Sequence, residues 1–198
     1  MSNAPAPFGL PLEAGPLQGI DLREPSKVIG RILSQYTVDN PPNLHPLFEY
    51  YIVYAHDELG ILQIIGIGKK HKNDKYGQAV RGDFDRVVKS LDGKYGTNLR
   101  HVVNESVSGD QSGIAQTLDF LKSSSVLKRD DDFLRALYNG DRLLAKSYYL
   151  EGYDPLSEIL VAAMARSSSE SYLTLSYTAI SFHRIMNEAQ SAQDDEAF

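Results

Sequence analysis

The sequence contains no cysteine and no tryptophan. The first absence removes disulfides, thiolate metal ligands and a thiol nucleophile at once. No run reaches the ~18 uninterrupted apolar residues of a membrane-spanning helix, so no span is expected. Basic residues are in deficit: 20 Lys and Arg against 26 Asp and Glu give a formal net charge of −6. That balance argues against nucleic acid as the main partner. What remains is the composition of a globular protein, with 42% hydrophobic and 23% charged residues in a chain of 198. It excludes wholesale disorder and a coiled-coil rod. Residues Met1 to Pro7 carry no base, and Phe8-Gly9-Leu10-Pro11-Leu12 is too short and proline-broken for a secretory signal. The expected compartment is the cytoplasm, or the periplasm if a leader was removed ahead of the numbered chain.

Residues 1–24 hold four prolines and three glycines and read as an extended arm, with Phe8, Leu10 and Leu12 pinned to the core at alternate positions. Pro25 followed by Ser26 to Leu33 suggests a short helix with Val28, Ile29, Ile32 and Leu33 as its stripe. Two tyrosine-rich or β-branched strands follow, Phe48 to Ala55 and Ile61 to Gly68, joined as a hairpin through Gly60. The second is almost continuously apolar and is expected to be central in a sheet. Tyr76 to Lys94 is the clearest helix, its apolar stripe being Val80, Phe84, Val87, Val88 and Leu91. Further elements are a strand at Leu99 to Asn104, helices at Ile114 to Lys122 and from Phe133 to Tyr138, and strands at Arg142 to Tyr149, Ser157 to Arg166 and Ser171 to Ala179. Asp130, Asp131 and Asp132 precede Phe133 as helix-terminal acids. Phe182 to Gln190 is a last helix, and 191–198 an acidic tail. Strands outnumber helices and come as hairpins. The expected fold is therefore one α+β domain over residues 25–190, an antiparallel sheet of about five to six strands with helices packed mainly on one face.

No motif assigns a reaction. Gly66-Ile67-Gly68-Lys69-Lys70 has neither the spacing nor the hydroxyl of a phosphate loop. Its glycines are better read as relief of crowding where a helix packs on the strand. The five histidines include no pair at metal-binding spacing, so no metal site or cofactor is expected. Ser108-Gly109-Asp110-Gln111-Ser112-Gly113 fits neither nucleophile motif and reads as a turn-rich loop. Asp83 and Asp85 flank Phe84 on the helix and point to different sides. No catalytic residue is assigned.

Charge is distributed unevenly. Between Gly66 and Arg100 nine bases face four acids, a local +5 against −11 for the rest. Lys69, Lys70, Lys72 and Lys75 stand nearest the turn before the main helix and are the candidates for holding an anionic group. The acidic remainder suits a basic partner, since acidic inhibitors gain on-rate through long-range steering. The 12 tyrosines cluster near strands as Tyr50, Tyr51, Tyr54, Tyr148, Tyr149 and Tyr153. They are cross-strand packing residues or an interaction face.

Two stretches resemble a loose group of small bacterial α+β proteins with no assigned function. One runs from Phe48-Glu49-Tyr50 through Gly60 and Gly66-Ile67-Gly68 to Lys94-Tyr95-Gly96. The other runs from Ile159 through Ser167-Ser168-Ser169 and Tyr172-Leu173-Thr174-Leu175-Ser176-Tyr177 to Phe198. The resemblance implies a bacterial or phage α+β domain and brings no catalytic residues. The leading expectation is a non-enzymatic protein-interaction domain, of the immunity-protein or inhibitor kind, that binds a basic partner protein. The alternative is an enzyme or small-ligand-binding domain that holds an anion at the basic turn over residues 66–75.

Overall fold

The computed structural model describes residues 6–17, 22, 24–74, 76–95, 100–104, 133–139 and 144–195. Lys75, the turn-rich loop over residues 108–113, the helix expected over 114–122 and the aspartates 130–132 lie outside them. In chain order the elements are β1 (Lys27–Ile29), β2 (Leu33–Val38), β3 (Phe48–His56), β4 (Gly60–Gly68), β5 (His71–Lys72), α1 (Gln78–Tyr95), β6 (Arg100–Asn104), α2 (Phe133–Asn139), β7 (Leu144–Tyr149), β8 (Leu156–Ser167), β9 (Glu170–Ala179) and α3 (Phe182–Asp195). The class is α+β. One antiparallel sheet carries the strand order β1-β2-β3-β4-β9-β8-β7-β6, and β5 adds to β9.

Among the described residues the sheet has nine strands, β5 included, not five or six. Part of the difference lies at residues 26–38, where the expected helix is a β-hairpin. Val28, Ile29 and Ile32 are β-branched, which favours the pleated state over a helix. Gly30 and Arg31 both take positive φ, 53° and 55°, and Ile32 N–H bonds the Ile29 carbonyl at 3.1 Å. Two successive left-handed residues are what a type I′ hairpin turn requires. β1 then pairs with β2 from Lys27–Gln35 to Ile29–Leu33, and β2 pairs with β3 from Leu33–His56 to Val38–Tyr51. The two-residue β5 accounts for the rest.

The described chain forms two compact units. Unit 1 comprises residues 1–67, 149–159 and 176–198; unit 2 comprises 68–148 and 160–175. In unit 1, α3 packs on β1 and β2 through Phe182, Ile185 and Ala189 against Ile29, Leu33 and Leu62. The contact with Gly30 is so close that a Cβ there would collide with the Ala189 backbone. α3 continues to Asp195, so residues 191–195 are helical and not part of a tail. The N-terminal segment is fastened to the same unit. Leu10 and Leu12 are buried, Leu12 bridges Ile61 in parallel, and the amides of Glu13 and Gly15 bond the carbonyls of Ile61 and Leu59. The Phe8 ring lies 4.6 Å from Tyr51, 5.5 Å from Phe48 and 5.7 Å from Tyr177.

In unit 2, α1 buries Val80, Phe84, Val87, Leu91 and Tyr95, with Val88 half-buried. Val80 joins Phe133, Leu134 and Ala163 in a core cluster. The glycines of β4 are explained by strand and ring contacts, not by a helix: a Cβ on Gly66 would meet the Phe48 ring at 2.9 Å, and one on Gly68 the Leu173 carbonyl at 2.7 Å. Among the described residues no helix is long and apolar enough to cross a membrane.

Candidate functional site

The basic turn leaves β4 at Gly68, crosses exposed Lys69 and Lys70, pairs briefly as β5 and enters α1. In β5, His71 stands opposite Ser171 and Lys72 opposite Glu170. Successive strand residues face opposite ways, so Lys72 is on the other face from His71. The imidazole is instead held at home, its Nε2 2.8 Å from Asp83 Oδ2. Asp83 is 13% exposed and has Arg86 Nη1 at 3.6 Å from its other oxygen.

Asp74 closes this turn. Its carboxylate accepts the Ala79 and Val80 amides at 3.0 and 3.1 Å and the Ser171 hydroxyl at 2.6 Å. Its own amide donates to the Ser169 carbonyl, and its carbonyl accepts from Gly77. Helix amides are the usual cradle for a phosphate, and here two of the first are already taken by a buried carboxylate. Ser171 is fully buried and donates to Asp74, while His71 is bonded to Asp83. These are two separate pairs and not a relay of serine, histidine and acid. The turn is therefore built as a fastening between β5, β9 and α1, with Lys69, Lys70 and Lys72 displayed to solvent outside it.

A second fastening lies further along α1. Lys146 is buried, and its Nζ donates to both oxygens of Asp92 at 2.8 and 3.0 Å. The Tyr148 hydroxyl donates to Asp92 Oδ1 at 3.1 Å and to the Val88 carbonyl at 3.4 Å. Burial, and then the neighbouring carboxylate, push Tyr148 above the usual tyrosine range. A charged acceptor and an ammonium in one half-buried contact, the Asp92 side chain being 42% exposed, favour a fixed geometry. Neither fastening is announced by a motif. Asp74 and Ser171 stand 97 positions apart, Asp92 and Lys146 54 apart. Only the Asp just before a helix is a signal readable in advance.

The six tyrosines separate. Tyr51 and Tyr148 are fully buried. Tyr51 accepts the His45 amide at 3.2 Å, and burial pushes its hydroxyl above the usual tyrosine range despite that bond, so the neutral form is favoured. Tyr50, Tyr54 and Tyr153 are half-buried, Tyr54 lying 5.8 Å from the Phe182 ring. Tyr149 is 49% exposed. Tyr50, Tyr51, Tyr54, Tyr149 and Tyr153 belong to unit 1, and Tyr148 to unit 2.

Charge sorts by unit. The ranges that make up unit 1 hold 14 acidic and 4 basic residues; those of unit 2 hold 12 acidic and 16 basic. Of the 11 unit 1 acids whose side chains are described, 9 are exposed, so this charge is on the surface. Unit 1 carries a net −10 and unit 2 a net +4. Among the described residues no three His, Asp or Glu side chains are grouped so as to hold a metal ion. No family model matches the chain, and no curated protein or solved structure matches it.

Proposed function

We propose that the chain is a non-enzymatic protein-interaction domain, of the immunity-protein or inhibitor kind, whose unit 1 binds a basic partner protein. The observation that supports this reading is the 14-to-4 excess of acids in unit 1, nearly all of those described being exposed. Concentrated surface charge of one sign raises the encounter rate with an oppositely charged partner and repels like-charged competitors. The anion-holding alternative loses support from the same turn that suggested it. Asp74 occupies the Ala79 and Val80 amides, and β5 turns Lys72 away from His71. What remains for an anion is a set of exposed lysine side chains.

The test is capture from a bacterial lysate by the immobilised full chain, at about 50 mM and about 500 mM salt, a range over which exposed charges become screened. The same capture uses a variant with Glu49, Asp57, Glu58, Glu151 and Asp154 all changed to Lys. The expected result is a discrete protein of net positive charge, identified by mass spectrometry, that is lost both at high salt and on charge reversal. Recovery of nucleotides or metabolites without protein, or an unchanged protein set with the variant, overturns the reading.

A further inference from the structure

Unit 1 brings two exposed apolar residues to one end of its strands. Tyr149, at the end of β7, is 49% exposed, and Ile180, just after β9, is 53% exposed. The loop between β7 and β8 is tied to the turn after β9 by the Ile180 amide, which donates to the Pro155 carbonyl at 2.9 Å. That loop is also closed on itself. Leu150 N–H bonds the Ser157 carbonyl at 2.8 Å, and Leu156 N–H bonds the Tyr153 carbonyl at 3.0 Å. The Ser157 hydroxyl adds a bond to the Thr178 carbonyl at 3.0 Å. Tyr153 and Ile180 are therefore presented on a braced support.

The rim of this surface is acidic. Glu151 and Asp154 are exposed in the loop, and Glu158 faces His183 at 3.5 Å. The Glu13 carboxylate accepts the Ser181 amide at 2.9 Å beside Ile180. Neither 149–159 nor 176–183 contains a single Lys or Arg, and Arg184 just beyond is bonded to Glu188 at 2.9 Å. Tyrosine rings with an aliphatic neighbour form the apolar centre typical of an interface. A ring face also attracts a guanidinium or ammonium, and free carboxylates beside it receive the same cation by charge-assisted hydrogen bonds.

We propose that the β7–β8 loop and the turn after β9 form a docking surface for a basic segment of a partner protein. Tyr149, Tyr153 and Ile180 seat the stem of an arginine or lysine with an adjoining apolar side chain, and Glu151 and Asp154 receive its charge. The proposal rests on the reading of unit 1 as the acidic partner-binding half and assigns that role to one place on it.

A phage-displayed library of random peptides selected on the full chain tests it, followed by titration of an enriched peptide into the isotope-labelled protein. Enriched sequences are expected to pair Arg or Lys with an apolar neighbour, and shift changes to centre on Tyr149–Glu158 and Ile180–His183. Tyr149→Ala with Ile180→Ser, and separately Glu151→Lys with Asp154→Lys, should each weaken binding at least tenfold. Asp57→Lys with Glu58→Lys should change it by less than about twofold. Because shift mapping uses the unmodified chain, a variant that unfolds does not block the test. Basic peptides whose shifts centre on Asp57 and Glu58 overturn the docking surface and leave the acidic-unit reading standing. Enrichment of acidic or uncharged peptides overturns both, and failure to enrich any peptide overturns the docking surface.

Discussion

Replacing Asp74 with Ala should destabilise unit 2 more than any exposed charge removal, because its carboxylate has three buried or half-buried donors. Loss of the acceptor for the Ala79 and Val80 amides resembles loss of a helix N-cap and costs about 1 kcal/mol. The Ser171 hydroxyl, fully buried with its 2.6 Å partner removed, adds about 1–3 kcal/mol for an unsatisfied polar group. The total, about 3 kcal/mol, is a large share of the about 5–15 kcal/mol that holds a typical domain folded. In a urea titration followed by circular dichroism, a slope of about 2 kcal/mol/M turns that loss into a midpoint shift of about 1.5 M. Asp74→Asn, which keeps one acceptor, should recover part of it. Ser171→Ala alone should cost about 1 kcal/mol. In Asp74→Ala/Ser171→Ala no stranded hydroxyl remains, so the double variant should fall short of the sum by about 1–2 kcal/mol. Hydrogen exchange gives the local readout, since the Ala79 and Val80 amides should lose protection first. A midpoint unchanged within error, or strict additivity of the two substitutions, would refute the account of Asp74 as the fastening between α1 and β9.

Tyr148→Phe keeps the ring and removes the hydroxyl that donates to Asp92, which should cost about 1–2 kcal/mol at neutral pH. The folded state raises this hydroxyl above the 10.0 of a free tyrosine, so its contribution is complete below that pH. It is lost as pH climbs, because the unfolded chain then releases a proton that the folded chain retains. Denaturation at a series of pH values should show the gap between wild type and variant narrowing above pH 10; a constant gap contradicts the assignment. Gly30→Ala combines a φ of +53° with a collision against the Ala189 backbone, whereas Gly15→Ala has a φ of +87° and open space around its new Cβ. Thermal unfolding should rank Gly30→Ala well below Gly15→Ala, which should lose about 1 kcal/mol from backbone strain alone; equal losses would mean that α3 does not press on the β1–β2 turn.

Where apolar periodicity is the dominant local signal, the sequence reading and the structure agree. Val80, Phe84, Val87 and Leu91 define α1 in both, and the almost continuously apolar run from Ile61 matches the place of β4 between β3 and β9. The reading failed where two periods fit the same residues. Val28, Ile29, Ile32 and Leu33 satisfy helical spacing, but the backbone followed Gly30 and Arg31 into a left-handed turn, a preference that spacing does not register. β5 is two residues long and owes its existence to β9, so no local pattern announces it. Asp74–Ser171 and Asp92–Lys146 depend on chain segments that only the fold brings together.

The tyrosines and the basic stretch, the two features that first point to a function, were placed by the same physics. A cluster in sequence is not a cluster in space: of the six tyrosines, Tyr51 and Tyr148 went into cores because alternation on β3 and β7 turned them inward. Tyr149, one residue on from Tyr148, faces out because a strand reverses direction at every step. The basic stretch behaved differently. Lys69, Lys70 and Lys72 stayed exposed, but the group best placed to help them hold an anion, the α1 amides, was claimed by Asp74 from within the turn. An intramolecular carboxylate needs no association entropy to sit at a helix end, so an external phosphate would have to displace a partner already in place. The acidic excess of unit 1 has no such internal answer. With 14 acids against 4 bases in its own ranges, the unit holds too few cations to give each carboxylate its own, and a net charge of one sign favours a cation supplied from outside.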